Sequence, residues 1–224
     1  MRVAWYIVLV LAIDTSTPAV TAGVVRFDSE SADAPRSLAT RATVDARAHA
    51  EVLTPQILEC LAESGYAPAD LDAVVVGVGP GPFTGLRVGM ATGAAFGDAL
   101  GIPVHGVCSL DAIAADAADG RDLLVVTDAR RREVYWARYS QGKRVEGPEV
   151  IKPSDLDGEP SQVIAGSASH VDLFDLPVLP VETPSPAGLV AVAAQALRVG
   201  VEPEPLVPLY LRRPDAVELA DRRK

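Results

Sequence analysis

The sequence predicts a mixed α/β fold in two lobes. Three observations carry this prediction. Apolar runs of strand length alternate with stretches of helical periodicity. The order strand meander, helix, strand, helix is followed by a second, similar set. No low-complexity tract or long linker interrupts the 224 residues, a length that suits one large domain or two small lobes. The expected division is a first lobe over residues 1–103 and a second over 104–206. Residues 207–224 are expected to return to the first lobe.

The apolar run from Val3 to Ile13 is too short to span a bilayer, which takes roughly 20 residues. It runs into Asp14-Thr15-Ser16-Thr17 without a small-residue cleavage site. It therefore predicts a buried first strand, with an exported or membrane-touching form as the alternative. Residues 19–27 read as the antiparallel return, and 41–44 as a third strand. A helix is expected over 47–64, with Leu53, Ile57 and Leu61 as its apolar stripe and Pro55 kinking it or shifting its start. Residues 73–78 read as a strand and 84–100 as a helix, with Thr84 as N-cap and Gly101-Ile102-Pro103 as the stop. Strands are expected at 104–107, 123–128, 133–139 and 163–166. Helices are expected at 110–118 and 186–199, and an extended connector follows Pro203.

Composition narrows the function. Apolar residues make up 49% of the chain and the formal net charge is −10. Such a chain is poorly suited as a whole to gripping a phosphate backbone, where affinity comes from Lys and Arg. Cys60 and Cys108 form no CxxC pair and read as structural thiols. His49, His105 and His170 stand in no HxxxH or HExxH pattern, and no GxSxG occurs.

Residues 79–89, Gly-Pro-Gly-Pro-Phe-Thr-Gly-Leu-Arg-Val-Gly, join a strand to a helix. That junction points backbone N–H groups at a helix start, where an anion or a close-packed partner is expected. The segment lacks the Lys of a phosphate-binding P-loop and does not fit the dinucleotide fingerprint. Asp14, with Thr15 and Ser16, follows the first strand. It serves either a phosphate or metal-water contact, or a turn that caps local N–H groups. Gly89, Gly93 and Gly97 form a stripe on one helix face, flanked by Leu86, Met90 and Ala94. Each glycine costs the helix roughly 1 kcal/mol against Ala, so close backbone approach by another helix, the first helix of this chain or one across a subunit interface, is expected to offset it. Arg130-Arg131-Arg132 and the tail residues Arg212, Arg213, Arg222, Arg223 and Lys224 are the basic concentrations, either solvated surface or contacts to an acidic partner or RNA.

Five motifs in order resemble one family: Ala12-Ile13-Asp14-Thr15-Ser16, Arg47-Ala48-His49-Ala50-Glu51, residues 79–89, Asp128-Ala129-Arg130 with Glu133-Val134-Tyr135, and Pro208-Leu209-Tyr210-Leu211-Arg212. Together they resemble the bacterial TsaB (YeaZ) family over nearly the whole chain. The resemblance implies the two-lobed actin/Hsp70/sugar-kinase (ASKHA) fold. It also implies kinship with TsaD, which transfers threonylcarbamoyl to the adenosine beside the tRNA anticodon. The implied partners are TsaD in a heterodimer and the ATPase TsaE, with tRNA met indirectly through the complex and a homodimer when the chain is alone. TsaD proteins carry a His-x-x-x-His metal site after an Ile-Pro-Val-His-like stretch. Here that stretch is Ile102-Pro103-Val104-His105, and the ligand positions fall on Gly106 and Leu110, which offer no side-chain ligand.

A cytoplasmic, non-catalytic subunit without membrane contact is thus expected. It needs no cofactor of its own; residual ATP or ADP binding is expected in the complex, and Asp14, Thr15 and Ser16 are the candidate vestigial nucleotide site. The expected partner interface comprises Leu53, Ile57, Leu61, Leu86, Gly89, Met90, Gly93, Ala94 and Gly97. The rival is an ATP-binding phosphotransferase or ATPase of the same fold using Asp14. A peptidase finds no nucleophile or metal motif. Two departures from the family stand out: residues 1–6 precede its usual start, and Pro82 replaces a usual Ser, removing a donor from the turn.

Overall fold

The computed structural model describes residues 7–29, 33–45 and 49–212. Arg47, Ala48, residues 1–6 and the basic tail from Arg213 onward lie outside these. The chain forms β1 (Ile7–Asp14), β2 (Ala19–Asp28), β3 (Arg36–Val44), α1 (His49–Ser64), β4 (Ala73–Gly77), α2 (Phe83–Leu100) and β5 (Val104–Val107). It continues with α3 (Ser109–Ala117), β6 (Leu123–Asp128), β7 (Val134–Ser140), β8 (Lys143–Ile151), β9 (Val163–Gly166), α4 (Ala168–Val171) and α5 (Pro186–Val199).

Two sheets result, ordered β3-β2-β1-β4-β5 and β8-β7-β6-β9. In each, an antiparallel meander of three strands is extended by a strand parallel to the first, β4 beside β1 and β9 beside β6. The two sheets share this arrangement over four strands, the duplicated α/β layout expected of the ASKHA fold. Strands β1 and β4 are buried on both faces, which is why they read as unbroken apolar runs rather than alternating ones.

One face of the first sheet is covered by α1 and α2, through Leu53, Ile57, Leu61, Leu86 and Met90. The opposite face packs on Leu189, Val190 and Ala193 of α5 and Ala112 of α3. Helix α3 turns Leu110, Ile113 and Ala117 to the second sheet, so α3 and α5 lie between the sheets. The far face of the second sheet is closed by Leu156, Val171 and Phe174.

Three expectations are corrected. Strand β5 was assigned to the second lobe, yet Val104–Val107 pair in parallel with Val74–Gly77 and complete the first sheet. Helix α5 likewise lies on the first sheet. Helix α1 is continuous over His49–Ser64 with Pro55 inside it. Thr84 does not cap α2: the helix starts at Phe83 behind Pro82, with no side-chain cap. The stop is as expected, with Gly101 left-handed at φ 65° and Ile102 N–H donating to Gly97 O at 3.0 Å.

The connector at residues 201–212 crosses both lobes. Leu206 and Leu209 pack on the first core, and Leu209 and Leu211 on the second. Leu209 N–H donates to Val78 O at 2.8 Å. No helix among the described residues is long and apolar enough to cross a membrane.

Candidate functional site

Asp14 ends β1 with its carboxylate fully buried. Oδ1 accepts from Ser16 N–H at 2.9 Å and Ser16 Oγ at 2.7 Å, and Oδ2 accepts from Ser109 Oγ at 2.6 Å. A Cβ on Gly77 would overlap Oδ2, so glycine there is what lets β4 close over the carboxylate. Burial raises the Asp14 pKa above the ordinary carboxylate value, against the lowering pull of the Ser109 and Ser16 hydrogen bonds and of His49. Thr15 Oγ1 donates to Gly85 O at 2.7 Å and accepts from Gly89 N–H at 3.1 Å, stitching β1 to the first turns of α2. His49 Nε2 lies 3.1 Å from Thr17 O on the same turn. Asp14 and Thr15 are thus held in a fully buried structural knot, while Ser16, also buried, borders a depression of about 250 Å³ with Thr17, Thr127 and Asp128. Asp14, on which the phosphotransferase reading rests, is buried and fully hydrogen-bonded within the chain.

The glycine turn meets the same knot. A Cβ on Gly81 would strike Ser16 backbone, and one on Gly85 would meet Thr15 O at 2.5 Å. These glycines serve backbone-to-backbone approach, not an anion seat.

The expected partner interface is largely corrected as well. Leu53, Ile57, Leu61, Leu86 and Met90 sit in the first core. Gly89 faces Thr15, Gly93 faces Val74 and Val76, and Gly97 faces Val104. The stripe is therefore offset by α2 lying close on its own sheet. Ala94 alone of that set is exposed, on an outward face of α2 with Ala91, Ala95 and Ala99. The periodicity marked the face of α2 that packs on its own sheet.

The positions aligned with a metal site are built over with apolar contacts. Leu110 is fully buried in the second core. A Cβ on Gly106 would meet Val78 Cγ1 at 2.8 Å and Leu206 Cδ2 at 3.0 Å. Among the described residues no three His, Cys, Asp or Glu side chains gather where they could hold a metal ion.

The accessible chemistry lies between the lobes. A cavity of about 570 Å³ is walled by Pro82 and Phe83 of the first lobe, Asp128, Ala129, Arg130 and Tyr135 of the second, and Tyr210, Leu211 and Arg212 of the connector. Phe83 is 50% exposed and Tyr210 41%. Their rings stack with centroids 5.1 Å apart. Arg87 lies over Phe83 at 3.8 Å and donates from Nε to Tyr210 Oη at 3.2 Å. Such an apolar cleft with a few convergent polar groups is the usual form of a small-ligand site.

The turn between β6 and β7 supplies its charge. Arg130, Arg131 and Arg132 all have positive φ, at 64°, 51° and 62°. Left-handed backbone costs a residue with a Cβ about 1–2 kcal/mol, and three in succession need bracing. Asp128 Oδ1 accepts Arg130 N–H at 2.7 Å, and Glu133 N–H donates to Arg130 O at 2.9 Å. From the connector, Arg212 donates to Ala129 O at 2.7 Å and pairs with Glu133 at 3.4 Å. Arg130, Asp128 and Arg212 were singled out in sequence. Phe83, Tyr135 and Tyr210 lie in the same motifs, but nothing in the sequence joins them in one cavity, because they come from three distant segments and share no spacing.

Comparisons with known proteins bear on this arrangement. A family model described as tRNA N6-adenosine threonylcarbamoyltransferase matches residues 42–215. An uncharacterized protein of Mycobacterium tuberculosis is 60% identical over 211 residues, covering 94% of this chain and 95% of its own. The Escherichia coli tRNA threonylcarbamoyladenosine biosynthesis protein TsaB is 32% identical, covering 91% of this chain and 94% of its own. Among solved structures, YeaZ from Pseudomonas aeruginosa superposes with a TM-score of 0.74 at 27% identity, over 90% of this chain and 100% of that one.

Proposed function

Because this chain belongs to the TsaB (YeaZ) family, we propose that it serves threonylcarbamoyladenosine formation in tRNA as a non-catalytic partner subunit. In this reading it pairs with the transferase TsaD, the ATPase TsaE joins them, and the complex works in the cytoplasm. The observation that carries the reading is the state of the reaction-centre positions. Asp14 is sealed beneath Gly77 and Ser109, and Gly106 and Leu110 are committed to apolar packing. A scaffold kept whole with its centre filled suits a subunit that acts through its surface. The chain brings no cofactor of its own, and any ATP or ADP is held jointly with the partner.

The docking face on this reading is the outward side of α2, where Ala91, Ala94, Ala95 and Ala99 present a smooth surface to another helix. Small side chains allow helix axes to approach to about 8 Å. The same face joins two copies when the partner is absent. The deciding experiment mixes the purified chain with TsaD, TsaE, ATP, a threonylcarbamoyl donor and unmodified tRNA and measures the modified nucleoside. Product is expected only when all three proteins are present, and an equal yield without this chain overturns the reading. Ala94→Glu, on an exposed site, is expected to cut partner capture at least tenfold with no change in melting temperature. Undiminished capture removes α2 from the interface.

A further inference from the structure

We propose that the cleft between the lobes binds one unpaired nucleotide of an RNA strand, and that the chain therefore touches its RNA substrate directly. This rests on the reading above for the identity of the polymer, and on the cleft for the contact. The sequence carries a net charge of −10, yet among the described residues arginines gather around this cleft. Arg130 and Arg212 line the aromatic cavity. Arg131, Arg132 and Lys152 line a second depression of about 490 Å³ on the outer side of the same turn. Positive charge thus continues past the cavity. A free nucleotide needs one cationic contact, whereas a strand presents successive phosphates and is tracked by a row of them.

The cavity supplies the other half of single-strand recognition. Unpaired bases are held by stacking on aromatic rings and on guanidinium planes. Here Phe83 and Tyr210 are half-exposed rings at the wall, with Arg87 beside them. The one carboxylate lining the cavity, Asp128, accepts Arg130 N–H and lies 3.7 Å from Arg130 Nε, and Arg212 pairs with Glu133 at 3.4 Å, so the cavity itself is close to balanced and the further positive charge is that of Arg132 and Lys152 beside it. A base set between the lobes leaves its phosphates toward Arg130 and the strand running on to Arg132. Left-handed backbone at three consecutive arginines is the kind of local strain that collects at binding sites.

The test uses the full chain and a fluorescent RNA hairpin with an unpaired loop, titrated by anisotropy at several salt concentrations. A fully paired RNA of equal length and AMP serve as competitors. Binding of the looped hairpin is expected to be displaced poorly by either. Arg130→Asn and Arg132→Asn keep residues tolerant of left-handed backbone, and each is expected to lower the salt slope by about one. Tyr210→Ala is expected to weaken binding about tenfold and Tyr210→Phe to restore it. Circular dichroism confirms that each variant is folded. The inference is overturned if the paired RNA competes equally, if AMP competes equally, if the variants bind as the parent does, or if the hairpin does not bind at low salt. Modification that depends on the chain, with no hairpin binding, sinks this inference and leaves the partner-subunit reading standing. Hairpin binding with modification independent of the chain does the reverse.

Discussion

Asp14 shows how burial decides the role of a residue whose type suggests chemistry. Its position after a strand end and its hydroxyl neighbours are what a phosphate site needs, and the sequence leaves site and turn equally open. The deciding partners, Gly77 and Ser109, lie 63 and 95 residues away, beyond the reach of any local pattern. Burial raises the Asp14 pKa above its unfolded value. A carboxyl so shifted favours folding while protonated, below the unfolded value, and that contribution is lost as pH rises through the folded value. Asp14→Asn keeps an acceptor for Ser16 and removes the charge. It is expected to be more stable than the parent near about pH 8, with the gain shrinking toward about pH 4. Urea denaturation across that range is the measurement, and a pH-independent difference contradicts the assignment. Asp14→Ala strands the Ser16 and Ser109 donors and is expected to cost about 1–3 kcal/mol.

At the scale of the element, α2 was legible in its length and stop but not in its orientation. Three glycines at spacing four announce a close approach, and any partner that comes near enough satisfies them. The structure separates them by what a methyl group would meet. At Gly93 a Cβ finds Val74 and Val76 at ordinary contact distance, 3.5 Å, while at Gly89 it overlaps Thr15 Oγ1. Gly93→Ala is therefore expected to stabilise by about 0.5–1 kcal/mol through helix propensity. Gly89→Ala is expected to destabilise by about 1–3 kcal/mol through overpacking. Thermal melts of the two variants check this, and equal shifts would show that the stripe does not face the sheet as described. Strand β8 escaped the sequence reading for a related reason. It is a sheet edge, mostly exposed and broken by Gly147-Pro148, so it lacks the buried alternation that marks a strand.

For the whole molecule, alternating apolar runs gave away nearly every strand and helix, because most are long and cross a core. The assignment of elements to lobes was less legible. A short strand such as β5 carries no mark of which sheet it joins, and α5 reaches the first sheet from far along the chain. The connector at 201–212 binds both cores through Leu209. Leu209→Ala is expected to cost about 1–2 kcal/mol, which lowers Tm by about 2–4 °C per kcal/mol in a protein of this size. Calorimetry should show one transition displaced as a unit. A shift confined to half the transition enthalpy would mean that the connector does not couple the lobes.

The shared strand order of the two sheets has one more consequence. Asp14 closes β1 and Asp128 closes β6, and each accepts the N–H two residues on, from Ser16 and from Arg130. Each first strand lies beside a parallel neighbour that ends in glycine, Gly77 or Gly166. The protein thus holds two related strand ends, the first fully buried, the second lining the cleft and followed by arginines. The turns themselves differ: Arg130 is left-handed at φ 64°, whereas no residue from Thr15 to Thr17 has positive φ. The likeness of the two sheets therefore stops at the strand ends, one spent on holding its lobe together and the other left open to the cleft.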